Sequence, residues 1–237
     1  MEGRLMYLKR IMLFNTLGIL LLLSWGLPHL MVWTDLDDHI FWFFNDLISP
    51  QGGWWDDLLA ILNHRLFDAA SFAVMGVLFW YAMHRDPRPQ RTRRWLGIGL
   101  TMLLTAALMA LLTDKGIRYG HPSPTRFFEH ARHLTDVVTI PTKDGAHNSF
   151  PGDHGLMLMI FAGFMLRFAD RRPAWMSMAF VVLLSAPRIM VGAHWFSDVY
   201  MGSLSIALLI LPWLLCTPLA PTLVERIGRL IPGPATR

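Results

Sequence analysis

Three residues in the last quarter of the chain, Arg188, His194 and Asp198, have types and a spacing suited to phosphoryl chemistry. His194 and Asp198 are four residues apart, so on a helix they would share one face and the carboxylate would hold one imidazole nitrogen. An imidazole oriented in this way is a nucleophile or a base. Arg188 supplies a planar fork of donors that fits phosphate oxygens. The alternative interpretation is that these charges only mark the end of a membrane span.

A second polar cluster runs from Ser149 to His154 and includes Pro151, Gly152 and Asp153. Proline followed by glycine predicts a tight turn, and a helix that starts near His154 would present free backbone amides to an anion. His154 would supply the proton that a leaving oxygen requires. The alternatives are structural, with Asp153 as a helix N-cap and His154 as an interfacial histidine.

A third cluster is basic and consists of Lys115, Arg118 and His121, with Lys143 later in the same loop. Cations in this arrangement suit anionic headgroups or phosphates. Cations near the end of a span are also commonly snorkelling anchors that bind no ligand.

The chain that carries these clusters has 237 residues, of which 54% are hydrophobic and 16% are charged, and this indicates an integral membrane protein. A span needs about 20 mostly apolar residues. Six segments qualify, at 11–32, 66–83, 95–113, 154–169, 173–191 and 196–217. No internal repeat or long linker interrupts the chain. We therefore expect one all-α, polytopic membrane domain over residues 1–237.

Most of the basic residues outside the third cluster fall into four stretches, at 1–10, 84–95, 167–172 and 226–237, and the exceptions include Arg126 and Arg132 in the loop of that cluster. Under the positive-inside rule all four lie in the cytoplasm, which requires an even number of spans and agrees with six. Residues 33–64 contain no Lys or Arg and predict an outer-face loop. This topology puts both termini in the cytoplasm and all three polar clusters at the outer face, where helix ends would build the active site.

The composition also excludes several classes of protein. Cys216 is the only cysteine, which excludes an intramolecular disulfide, a cysteine zinc site and an iron–sulfur cluster. The net charge of +4 could indicate a nucleic-acid partner. The basic residues sort by loop instead of forming a patch, so we expect no nucleic acid.

The three clusters, in this order, resemble the motifs of the type 2 phosphatidic acid phosphatase family of membrane lipid phosphatases and phosphotransferases. The family's third motif is serine-arginine, five residues, histidine, three residues and aspartate. It fits Arg188, His194 and Asp198, with Pro187 in place of the serine. The second motif, proline-serine-glycine-histidine, corresponds to 151–154 without its serine.

The departures from the family pattern leave two tasks to other groups. Ser149 or backbone amides must substitute for the missing serine. The first motif is lysine, six residues and arginine-proline, whereas here Lys115 is one residue too close and His121 stands where arginine is usual. The phosphate contact of that motif then falls to Arg118 or Lys143.

The resemblance implies an enzyme that needs neither a metal nor a cofactor. Within the family the chain is most similar to a phosphotransferase of the Gram-negative inner membrane, which implies undecaprenyl diphosphate as donor and the 1-phosphate of lipid A as acceptor at the periplasmic face. His194, oriented by Asp198, would form a phosphohistidine, and His154 would protonate the departing undecaprenyl phosphate. The residues that would bind phosphate are Arg188, Lys115, Arg118, Lys143, Ser149 and Gly152.

Four other functions remain open at this point. Water as the acceptor would make the same site a lipid phosphate phosphatase. A serine hydrolase would use Ser149, although a Gly-x-Ser-x-Gly elbow is missing. A lipid carrier or flippase would also have six spans and basic headgroup contacts. A metal-dependent hydrolase would take its ligands from His121, His154, His194 and Asp198. The sequence does not fix the oligomeric state.

Overall fold

A computed structural model describes residues 2–27, 29–117 and 119–230, and within them the chain is all helical, as expected. The helices are α1 (Glu2–Gly26), α2 (Val32–Asn45), α3 (Trp54–Leu62), α4 (Arg65–Arg85), α5 (Arg91–Gly116), α6 (Pro124–Phe127), α7 (Asp153–Phe168), α8 (Arg171–Met190), α9 (Leu204–Leu215) and α10 (Leu219–Leu230). A 3-10 turn spans Leu134–Asp136, and a π-helical segment, Asp198–Ser203, continues directly into α9.

Five of the described helical segments are long and apolar enough to cross a membrane. They are Leu5–Gly26, Arg65–Arg85, Arg91–Gly116, Arg171–Met190 and Asp198–Leu215. The last four correspond to the expected spans at 66–83, 95–113, 173–191 and 196–217. The first starts earlier than the expected 11–32, because apolar residues continue the helix before Lys9 and Arg10, and it ends at Gly26. Large apolar side chains on these helices are exposed, as on a surface that contacts lipid.

Helix α7 takes the place of the expected span at 154–169. It has 16 residues, and its length of about 24 Å is shorter than the roughly 30 Å of a bilayer's hydrocarbon core. It packs against α5, α8 and α9, and nine of its residues are buried. Helix α7 is therefore the central helix of the described bundle, and its first turn carries Asp153 and His154.

Four helices, α2, α3, α6 and α10, lie outside the expected spans. Helix α3 is short, and α10 is amphipathic and packs on α5 through Ala220, Val224 and Gly228. Helices α5 and α10 approach so closely that a Cβ added to Gly97 would collide with the carbonyl oxygen of Val224. The guanidinium of Arg93 donates to the carbonyls of Gly228 and of the next residue, which satisfies the end of α10.

The loop between α4 and α5 is organised by a buried carboxylate, Asp86. It accepts hydrogen bonds from the Trp95 indole at 2.9 Å, the Arg88 backbone N–H at 3.1 Å and the Arg94 guanidinium. Burial opposes ionisation of Asp86, but the hydrogen bonds and the two arginine charges outweigh it and hold its pKa below the usual value.

Asp86→Asn is expected to reduce the free energy of unfolding at pH 7 by about 1–3 kcal/mol, because three donors lose a charged acceptor. Folding lowers the pKa of Asp86, so the ionised carboxylate stabilises the folded protein at any pH above the pKa that Asp86 has in the unfolded state. This contribution is lost as the pH falls through the pKa that Asp86 has in the folded state. Thermal unfolding in detergent should therefore separate the two proteins at pH 7 and bring them together in acid. The control is Asp170→Asn, which breaks an exposed pair with Arg85 and should have little effect. A difference independent of pH would contradict this account.

Candidate active site

The turn after α8 brings His194 back over Arg188. Gly192 has a φ of +77°, in the left-handed region that favours glycine at the end of a helix. The backbone N–H groups of Ala193 and His194 both donate to the carbonyl of Arg188, at 3.0 and 3.1 Å. A Cβ at Gly192 would lie 2.7 Å from side chains on α2 and α6. The number of residues between Arg188 and His194 is thus set by the hydrogen bonds that cap α8.

The expectation that His194 and Asp198 share a helix face is wrong, because His194 lies in the turn and Asp198 starts the π-helical segment. One Asp198 oxygen accepts the backbone N–H of Trp195 at 2.8 Å, and the other lies 3.0 Å from Nδ1 of His121. His194 Nδ1 lies 3.6 Å from Asp198 but only 2.9 Å from the carbonyl oxygen of Ser149. Because a carbonyl only accepts, Nδ1 of His194 carries the proton and Nε2 keeps its lone pair in the neutral ring.

A second carboxyl, Asp37 on α2, fixes the same turn and was not singled out in the sequence. It accepts hydrogen bonds from the backbone N–H of Ser197, at 2.8 Å, and from the Ser197 hydroxyl. Burial raises the pKa of Asp37 to about 6, against the opposing effect of these hydrogen bonds. Asp37 therefore ties α2 to the residue that precedes Asp198.

His154 lies between two carboxylates in the first turn of α7. Its Nδ1 is 3.0 Å from Asp153 Oδ1, and its Nε2 is 3.0 Å from Oδ1 of Asp68 on α4. The same Asp68 oxygen accepts a hydrogen bond from Nη2 of Arg188 at 2.8 Å. Asp68 was also missed, although an acidic residue within the expected span at 66–83 is itself a functional signal.

The side chains around these contacts line a cavity of about 330 Å³. Arg188 is nearly buried, with 6% of its side chain exposed, and its Nη1 has no hydrogen-bond partner in the described part of the chain. Of the expected site residues, the cavity brings together His154, His194, Arg188, Lys143 and Ser149.

The remaining expected residues lie elsewhere or turn away. Lys115 is exposed in the last turn of α5 and does not line the cavity. The N–H of Gly152 donates to the carbonyl of Asp198, and the hydroxyl of Ser149 donates to the carbonyl of His121. Asp198 is fully buried behind the cavity wall. Arg118 lies outside the described residues.

Within the described ranges, Asp153, His154 and His194 form a group whose ligand atoms lie within 4.8 Å of one another. Two residues considered for a metal site, His121 and Asp198, are not in this group. Both ring nitrogens of His154 face a carboxylate oxygen at 3.0 Å, which requires an N–H on each when the carboxylates are ionised. A metal ligand needs a ring nitrogen without a proton, so this geometry favours a cationic imidazole.

Comparison with known proteins adds a family and a relative. Residues 94–220 match the model of the PAP2 superfamily, and this range contains all three polar clusters. The chain is similar to lipid A 1-diphosphate synthase of Escherichia coli (strain K12), with 39% identity over 228 residues that cover 95% of each chain. No solved structure matches the chain.

Proposed function

The chain belongs to the PAP2 superfamily, and on that premise we propose that it is a membrane phosphotransferase that forms lipid A 1-diphosphate from lipid A. The observation that carries this proposal is the 39% identity to a lipid A 1-diphosphate synthase, which extends over 95% of both chains. The matched range covers almost the whole chain and therefore includes the three polar clusters.

The donor in this proposal is undecaprenyl diphosphate. Nε2 of His194 attacks the terminal phosphorus, the P–O bond to undecaprenyl phosphate breaks, and His154 gives its proton to the departing oxygen. An oxygen of the 1-phosphate of lipid A then attacks the phosphohistidine, and the P–N bond breaks. His154 takes up the proton of the acceptor, so both histidines return to their starting states. The products are undecaprenyl phosphate and lipid A 1-diphosphate.

The geometry supports these roles at three points. Nε2 of His194 is the ring nitrogen that the Ser149 carbonyl leaves unprotonated. Nη1 of Arg188 is a buried donor without a partner among the described residues, as expected of a group that awaits a phosphoryl oxygen. Lys143 lines the same cavity and adds a second positive charge. The parts of Lys115 and Arg118 in binding phosphate remain predictions.

We also propose the finer topology. The five long apolar helices and α7 make six spans, both termini lie in the cytoplasm, and the active site faces the periplasm of a bacterial inner membrane. The contact between Arg85 and Asp170, at 3.5 Å, joins the α4–α5 and α7–α8 loops at one end of the bundle. Arg94 and Arg167 stand over the ring of Phe168 at that same end. The basic loops therefore gather opposite the cavity, which supports a cytoplasmic assignment for them.

The test is a phosphate balance on purified protein, with label in the terminal phosphate of undecaprenyl diphosphate and with lipid A present. Transfer predicts label on lipid A and little free phosphate. A phosphatase would release free phosphate whether or not lipid A is present, and that result would overturn the proposal. A chelator arm tests the metal alternative, because a metal-dependent hydrolase loses activity in a strong chelator. In oriented vesicles, substrates added outside should react in right-side-out vesicles and not in inverted ones if the site faces the periplasm.

A further inference from the structure

Asp68 contacts two side chains of the cavity, Arg188 and His154, through one oxygen. Its Oδ1 lies 2.8 Å from Nη2 of Arg188 and 3.0 Å from Nε2 of His154. Asp68 comes from α4, far along the chain from both partners and outside the three polar clusters. The contact thus joins α4 to the ends of α7 and α8 at the point where phosphate would bind.

We propose that Asp68 is a positioning residue for phosphoryl transfer, which orients the guanidinium of Arg188 toward the phosphate and holds His154 in its doubly protonated form. The inference rests on the proposed function, because it assigns Arg188 to the phosphoryl oxygens and His154 to the leaving group. It adds a residue from a third helix to that machinery.

The argument for Arg188 comes from the two ends of its fork. Nη2 is tied to Asp68, whereas Nη1 is buried and has no partner among the described residues. Because the guanidinium is planar, a hydrogen bond at one end fixes the direction of the other. A nearly buried cation also needs a counter-charge, and in the described part of the chain Asp68 is the carboxylate that pairs with Arg188.

The argument for His154 comes from its two carboxylate neighbours, which differ in position. Asp153 has 75% of its side chain exposed, and its Oδ1 also lies 3.8 Å from Nε2 of His194. It therefore stands between the two histidines, where the phosphoryl group must enter, and it has to move when substrate binds. Asp68 has 41% of its side chain exposed and faces the opposite ring nitrogen of His154. Nδ1 of His154 then gives its proton to the undecaprenyl phosphate oxygen while Nε2 remains bonded to Asp68.

The protonation of His154 depends on the charged groups around it. Asp153 on its own helix and Asp68 on α4 favour the imidazolium. Arg188 on α8 disfavours it, and Lys143 and Asp114 line the same cavity from a loop and from α5. A carboxylate in contact with an imidazolium stabilises it, so removing the charge of Asp68 leaves Asp153 alone against the arginine.

Asp68→Asn removes this charge with almost no change in shape. We expect kcat for transfer to fall about 10-fold to 100-fold, as for other partners that orient a functional histidine. The alkaline limb of the kcat profile should move to lower pH, because His154 loses its proton more easily. The matched control is Asp57→Asn on α3, whose exposed carboxylate has no hydrogen bond or ion pair among the described contacts, and it should change neither quantity. A lower kcat with an unmoved profile means a merely structural role and overturns the proposal.

A measurement that needs no turnover separates this inference from the proposed function. In protein labelled with 15N in histidine and reconstituted in lipid, both His154 nitrogens should carry protons at pH 7 in the wild type. In Asp68→Asn the titration of His154 should move to lower pH. The His154 signals are assigned by their loss in His154→Gln. An unchanged titration overturns the role of Asp68 whichever acceptor the enzyme uses, and a shifted one supports it even if water proves to be the acceptor.

Discussion

Replacement of His194 by glutamine is expected to abolish transfer of labelled phosphate while the protein keeps its thermal stability. Glutamine preserves much of the side-chain size and its hydrogen bonding but has no basic nitrogen that can attack phosphorus. The nucleophile of a covalent mechanism cannot be replaced by its neighbours, so we expect a loss of at least about 10,000-fold in kcat. The measurement is the initial rate of label appearing on lipid A.

Omitting the acceptor makes the same variant a sharper test. With labelled undecaprenyl diphosphate alone, the wild type should accumulate label on the protein in an acid-labile form, and His194→Gln should not. His130→Gln is the control, because His130 is exposed and has no hydrogen bond or ion pair among the described contacts. Labelled protein in the His194 variant would mean that another residue is the nucleophile.

The spacing of charged residues predicts which side chains meet but not how they meet. Arg188 and His194 converge because Gly192 reverses the chain after α8, whereas the four-residue helix spacing suggested a direct bond from His194 to Asp198. Asp198 instead supports the turn and His121, and a backbone carbonyl orients His194. A main-chain acceptor has no residue type, so no sequence pattern can reveal it.

Residues brought in by other helices were the ones missed. Asp68 on α4 and Asp37 on α2 reach the site only through helix packing. The spacing of residues along the chain does not show which helices pack together. Hydropathy located the long spans because burial in lipid demands a continuous apolar run. It is a weaker guide for α3, which is short, and for α10, which has one apolar and one charged face.

Arg188→Lys is expected to lower kcat/KM by about 100-fold to 1,000-fold, the usual effect of losing one donor to a developing phosphoryl charge. Lysine keeps the positive charge but presents it at a single point. Its ammonium cannot hold the planar two-ended arrangement that joins Asp68 at Nη2 and leaves Nη1 for the phosphate. If charge alone mattered, the substitution would be nearly silent.

The kinetic constants of Arg188→Lys distinguish these possibilities. Loss mainly in kcat would mean that the fork acts in the transition state, and loss mainly in KM would mean that it only binds the donor. Arg126→Lys on α6 is the matched control, since Arg126 is exposed and does not line the cavity. A change of less than about threefold in Arg188→Lys would contradict the role of the fork, because even one neutral hydrogen bond contributes about 1 kcal/mol. The effect should also depend on Asp68. In Asp68→Asn the guanidinium loses its charged partner and is held less firmly, so Arg188→Lys should then cost less than in the wild type.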